Sequence, residues 1–297
     1  MNVNDDPTIR RAYITCLRLA QSHYENFPVA SRLVPRKLRL HLAAVYAFAR
    51  VADDFADEGN FSPNERLDRL DHWRKRLTRV RDEDSSSSSS VVHPDEDDIF
   101  IALWDTIRRH QLPVELFDNL LSAFYQDVTV TRYRTWDELL DYCCRSANPV
   151  GRIVLRLSGF RSERLARQSD AVCSALQVTN FLQDFGRDWR SGRLYLPAEI
   201  QEQCGARISD LETGVMSAEW RAVFENCSNR TRDLYVSGRP ICDEVSGRLR
   251  LQLRLTWLGG VEILDRVSEK QYDPFGQRPK LGFADVLPLI WRTVVWT

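Results

Sequence analysis

The 297-residue sequence predicts an all-α fold, and three observations carry that prediction. Apolar residues recur at helical spacing over most of the chain. Strand-like alternation is scarce. The 13 glycines and 12 prolines fall mostly between the periodic segments, where they punctuate helices. Helices are expected at about 8–24, 36–58, 63–81, 97–110, 113–130, 135–158, 162–188, 218–235, 239–269 and 281–295.

The segment at 36–58 ends in VYAFARVADDFADE. Val45, Ala49, Ala52 and Ala56 form an apolar stripe. Tyr46, Arg50, Asp53 and Asp57 adjoin it, spaced four, three and four. Like charges four apart destabilise a helix modestly, so the crowding of Asp53, Asp54, Asp57 and Glu58 requires a cause. Next comes RDEDSSSSSSVVHPDEDD, too polar to bury a core. It is read as a mobile loop at 82–96 within a single domain, with a domain boundary there as the alternative. The segment at 135–158 carries YCCRSANPVG, whose adjacent Cys143 and Cys144 are read as small buried residues. In 162–188, Asn180, Asp184 and Asp188 are spaced four and four on one stripe. Phe181, Leu182, Phe185 and Trp189 occupy other parts of the surface and can pack. Residues 190–217, with Gly205 and Gly214, read as a loop. The final LGFADVLPLIWRTVVWT is the most apolar run, but Asp285, Pro288 and Arg292 interrupt it. It is too short to span a bilayer, which leaves peripheral membrane contact open.

The 41 Lys and Arg balance 42 Asp and Glu, which argues against a nucleic-acid binder. Lysine occurs only at Lys37, Lys75, Lys270 and Lys280; the rest of the basic side is arginine. Seven cysteines form no C-x-x-C pair, as expected of reduced thiols in a cytoplasmic protein. The N-terminus, MNVNDDPTIRRAY, has no apolar signal core.

Asp53 and Asp57 stand about 6 Å apart along a helix axis. That separation suits a divalent cation. If this helix and the 180–188 stripe face each other across a bundle, four carboxylates and an amide surround one cavity. Such charges are costly to bury unpaired, and Mg²⁺ resolves them with oxygen ligands, water and substrate phosphate. A di-iron site fails, because no histidine has an acid three residues before it. No P-loop or G-x-G-x-x-G turn is present. Arg50 can make charge-assisted contacts to a diphosphate. An apolar interior implies a hydrocarbon substrate, and loss of diphosphate would leave a carbocation that aromatic faces can stabilise. Phe27, Tyr46, Phe48, Phe124, Tyr125 and Tyr142 are candidate linings, although each alone is more simply read as core.

YAFARVADDFAD, YCCRSANPVG, QVTNFLQDFGRDWRSGRLYLP and, more weakly, EKQYDPF make the chain resemble the squalene/phytoene synthases over about 13–280. The resemblance implies the isoprenoid synthase fold around a central cavity. It implies Asp53, Asp57, Asn180, Asp184 and Asp188 as ligands of two or three Mg²⁺. It implies that His23, Tyr46, Arg50, Gln177, Arg193 and Tyr272 line the substrate site and that Tyr142 stands near the reacting carbons. SHYENFPVAS, ARVADDFADE, SANPVG and TNFLQD look most like the hydroxysqualene synthase branch of bacterial hopanoid gene clusters. Two basic residues frequent in the family are missing, at 25–26 and at Gln183. The implied substrate then carries one diphosphate: presqualene diphosphate, converted to hydroxysqualene without NAD(P)H. Asn26, Asn148 and Gln183 are candidates to hold the quenching water. A sister synthase would supply the substrate. The alternative is head-to-head condensation of two prenyl diphosphates to squalene or phytoene. A non-catalytic helical partner of this fold is the reading from a different class.

Overall fold

The structure, a computed structural model, describes residues 6–22, 36–82, 94–269, 272–276 and 278–296. His23 and the serines at 85–90 lie outside them. The helices are α1 (Pro7–Ser22), α2 (Arg36–Asp57), α3 (Pro63–Asp82), α4 (Pro94–His110), α5 (Glu115–Thr129), α6 (Trp136–Ser146), α7 (Asn148–Leu157), α8 (Glu163–Gln183), α9 (Phe185–Arg190), α10 (Ala198–Cys204), α11 (Ile208–Glu212), α12 (Ala218–Gly238), α13 (Ile241–Glu244), α14 (Gly247–Val267) and α15 (Phe283–Val295). Among the described residues no strand forms, and one isolated bridge joins Arg132 to Leu194. The all-α expectation is met. The chain falls into two compact units, Met1–Thr129 with Arg152–Arg161 and Val130–Gly151 with Ser162–Thr297.

In the first unit α2 is the central helix, packed on α1, α3, α4 and α5. Small residues make this close packing feasible: Ala43, Ala44, Ala47, Ala52 and Ala56 are all buried. Phe48 is buried too, against Trp73 (ring centroids 5.9 Å apart), Phe100 (6.0 Å) and Phe117 (5.7 Å). The Trp73 indole N–H donates to the Phe48 carbonyl at 3.3 Å. Phe48 is therefore core, not a substrate lining. Burying one such ring contributes about 2–3 kcal/mol. A polar knot ties α1, α2 and α4 together. The Tyr13 hydroxyl donates to Asp105 (2.8 Å) and lies 2.9 Å from both His41 Nδ1 and Thr106 Oγ1. Burial pushes His41 down to about 4, so it is neutral in the knot.

In the second unit α8 packs on α12, α14, α6 and α13. Three segments expected as continuous helices are broken. The 135–158 helix parts at Ala147, because Pro149 has no N–H and its ring opposes the carbonyl one turn back. The 162–188 helix opens at Asp184 (φ −96°, ψ 4°) before α9 begins. The 239–269 helix is interrupted by extended backbone at Val245 (φ −81°, ψ 164°). The expected loop at 190–217 contains the short α10 and α11. Cys143 is buried as expected, but Cys144 is exposed. Neighbours on a helix point about 100° apart, and only one of them meets the core.

Candidate functional site

The acids at the end of α2 sit where a helix tolerates them least. The last turns of a helix carry partial negative charge from unpaired carbonyls. Here Asp53, Asp54 and Asp57 fall in those turns, Glu58 follows, and the last turn has no basic residue. Arg66 relieves part of the problem from α3. Its guanidinium donates to the carbonyls of Phe55 (3.3 Å), Glu58 (3.1 Å) and Gly59 (2.8 Å). Gly59 ends the helix at φ +76°, a conformation that favours glycine.

Arg50 supplies the remaining compensation. Its guanidinium lies 2.6 Å from Asp54, 2.5 Å from Glu58 and 3.5 Å from Asp53. One cation thus serves three carboxylates. Burial first, and the like charge of Asp57 second, push Asp53 up to about 6, against the pull of Arg50. The Asp53 side chain is nevertheless 41% exposed, so ions can reach it. Tyr46 is half-buried on the same helix.

The second stripe survives the break at Asp184. The Asp184 N–H donates to the Asn180 carbonyl at 2.8 Å, and the Asp188 N–H to the Asp184 carbonyl at 2.9 Å. The spacing of four is kept across the opening. Asn180 is exposed, and Asp184, Asp188, Gln177 and Arg193 are partly buried.

The EKQYDPF segment comes back onto this break. The Tyr272 hydroxyl donates to the carbonyls of Gln183 (3.3 Å) and Leu182 (3.4 Å). Burial and the charge of Asp184 push that phenol up. Arg278 grips Asp184 with two nitrogens, Nη2 at 3.1 Å from Oδ2 and Nε on Oδ1, and Nη2 also reaches Gln183 Oε1 at 3.2 Å. Gln183 in turn donates to the Pro279 carbonyl at 2.5 Å. Gly186 makes this docking feasible: a Cβ there would stand 2.1 Å from the Pro274 carbonyl oxygen. Gln183, where a basic residue is absent, thus accepts from the Arg278 guanidinium. Sequence reasoning missed Arg278 and Arg66, since neither lies in a motif.

Tyr142 is buried in an aromatic group with Tyr133 (5.7 Å) and Phe181 (6.1 Å). Tyr195 stacks on Phe181 at 4.0 Å and on Tyr133 at 6.0 Å. Asn148 is buried on α7, where its Oδ1 accepts from Ser174 at 3.0 Å and its Nδ2 approaches Cys144 Sγ at 3.6 Å. The amides of Asn148 and Gln183 therefore already bond to protein. A pocket of about 280 Å³ in this unit touches Tyr272, Phe224, Ser228 and Asn229 but reaches none of the candidate aspartates.

Asp53 and Asp57 come from one unit, and Asn180, Asp184 and Asp188 from the other. Among the described residues, no three His, Cys, Asp or Glu side chains close into a metal cage. The donor chemistry nevertheless fits a hard divalent cation, since all five candidates offer carboxylate or amide oxygen. Asp53, whose charged form is disfavoured by burial and by Asp57, is a carboxyl that a cation would relieve.

Comparison with known proteins adds four findings. The family model described as squalene/phytoene synthase matches residues 20–285. A hydroxysqualene synthase of Zymomonas mobilis is 41% identical over 274 residues, covering 89% of this chain and 85% of that one. A phytoene synthase of Mycobacterium tuberculosis is 31% identical over 272 residues, covering 87% and 86%. Among solved structures, squalene synthase HpnC from Alicyclobacillus acidocaldarius superposes with a TM-score of 0.81 at 38% identity, covering 90% of this chain and 97% of that one.

Proposed function

This chain belongs to the squalene/phytoene synthase family and is an isoprenoid synthase, and we propose that it converts presqualene diphosphate to hydroxysqualene with release of diphosphate. The observation that supports metal-assisted release of diphosphate is the acidic end of α2, where an upward-shifted Asp53 shares one arginine with Asp54 and Glu58. The choice of branch is supported by 41% identity to a hydroxysqualene synthase against 31% to a phytoene synthase.

Asp53, Asp57, Asn180, Asp184 and Asp188 would hold Mg²⁺. When bound, Mg²⁺ neutralises charge on the departing diphosphate oxygens. The chain's own groups do the rest. Arg50, paired mainly with Asp54 and Glu58, and Arg278, paired with Asp184, would offer their guanidiniums to phosphate oxygens. The C–O bond of the substrate breaks with its electron pair going to diphosphate. Tyr142 would stand near the reacting carbons, where an aromatic face stabilises a cation without adding to it. Water then adds to the rearranged cation and loses a proton, so presqualene diphosphate and water yield hydroxysqualene and diphosphate. No reductant enters this balance.

Head-to-head condensation remains the second reading, supported by the phytoene synthase relative. Diphosphate release separates the two. The purified chain should release diphosphate from presqualene diphosphate only when Mg²⁺ is present, and chelation should abolish it. Release from farnesyl diphosphate alone, at a comparable rate, would favour condensation.

A further inference from the structure

Helix α15 presents an apolar face that the fold does not use. Phe283 is 98% exposed, Leu287 76% and Trp291 69%; Ile290 and Val294 are exposed beside them. Spacings of four, three, one and three put these residues on a single helix face. The opposite face is firmly docked. Leu289 and Thr293 are buried, and α15 packs on α14. Asp285 accepts from Arg266 at 2.5 Å and from the Gly282 N–H at 2.6 Å. Arg292 pairs with Glu262 at 3.6 Å. The chain around Trp296 is anchored as well, its ring 5.6 Å from Trp257. The exposed face is therefore not a loose piece of core.

We propose that α15 lies in the plane of a lipid bilayer, with this face at the boundary between headgroups and acyl chains. Three features select lipid as the occupant. The outer face carries no charge to desolvate, because the one acid of the helix is turned inward onto Arg266. Exposed Lys280 lies three residues before the helix, where it suits the negative potential of anionic headgroups. Phe283 and Trp291 are side chains that favour the membrane interface. Among the described residues no helix is long and apolar enough to cross a membrane, so the contact lies on the surface. The hydrocarbon substrate and product, on the reading above, are found in that same layer; this fourth support rests on the proposed reaction, the first three do not.

The test is co-sedimentation of the full chain, free of substrate and Mg²⁺, with phosphatidylcholine vesicles and with vesicles containing added phosphatidylglycerol. The wild-type chain should bind both, the anionic vesicles more tightly. The triple variant Phe283→Ser, Leu287→Ser, Trp291→Ser should bind at least about tenfold more weakly, with an unchanged Tm because the three side chains are exposed. A wild-type chain that stays in the supernatant, or a variant that binds equally well, overturns the proposal. So does a concentration-dependent dimer that the triple variant abolishes while vesicle binding is absent, which would make this face a contact between copies. No turnover is measured, so either result leaves the assignment of the reaction to be judged separately.

Discussion

Asp53 connects the electrostatics of α2 to the chemistry. A carboxyl held at about 6, above its ordinary 3.8, binds its proton more tightly in the folded chain than in the unfolded one. The stability it contributes is present below pH 4 and lost as pH rises through 6. In metal-free protein, Asp53→Asn should leave Tm nearly unchanged near pH 4 and raise it near pH 7. The gain is about 1 kcal/mol once the exposure of the side chain is discounted. Calorimetry at the two pH values checks this, and a Tm that falls at pH 7 would contradict it. The same variant should lose about 100-fold or more in turnover, since it removes a proposed ligand of Mg²⁺. Arg278 bears on the other stripe. While it holds Asp184 it competes with a cation for the same oxygens. Arg278→Gln should therefore lower, by several-fold, the Mg²⁺ concentration that gives half of the metal-induced rise in Tm. An unchanged midpoint would show that the ion pair does not oppose metal.

The ends of the helices matter more to this site than their middles. α2 delivers its acids in its last turns, and α8 delivers Asp184 at the residue where its helix opens. Residues 272–276 and Arg278 close against that opening through Tyr272, Arg278 and the bare backbone of Gly186. Gly186→Ala forces the Pro274 carbonyl away and should shift the whole segment. The helical circular dichroism should stay near wild type while kcat/KM falls about tenfold or more, since small displacements of a site are amplified in rate. A variant with normal kinetics would mean that the docked segment is dispensable. The helix breaks also mark what sequence periodicity can convey. Pro149 announces a break in plain text, and the segment was still read as one helix because its apolar spacing runs on. The break at Asp184 had no local signal. It coincides with bonds from residues about 90 positions away, which no window of sequence contains.

The molecule as a whole carries one stripe of oxygen donors in each of two compact units. The all-α fold and the spacing of both acidic stripes were legible, because each follows from helical periodicity. Arg66 and Arg278 were not, because a capping guanidinium carries no motif and reveals itself only by the carbonyl or carboxylate it meets. The exposure of Phe283 and Trp291 was equally hidden, as an apolar run looks the same whether it faces a core or solvent. The central claim is that this chain makes an alcohol from presqualene diphosphate. The direct measurement is mass spectrometry of the extracted product after incubation with presqualene diphosphate and Mg²⁺, with NAD(P)H in one sample and none in the other. The account predicts hydroxysqualene in both samples, in equal yield, and no product from farnesyl diphosphate alone. Squalene that forms only with NAD(P)H, or phytoene-type hydrocarbon from prenyl diphosphates, would contradict it.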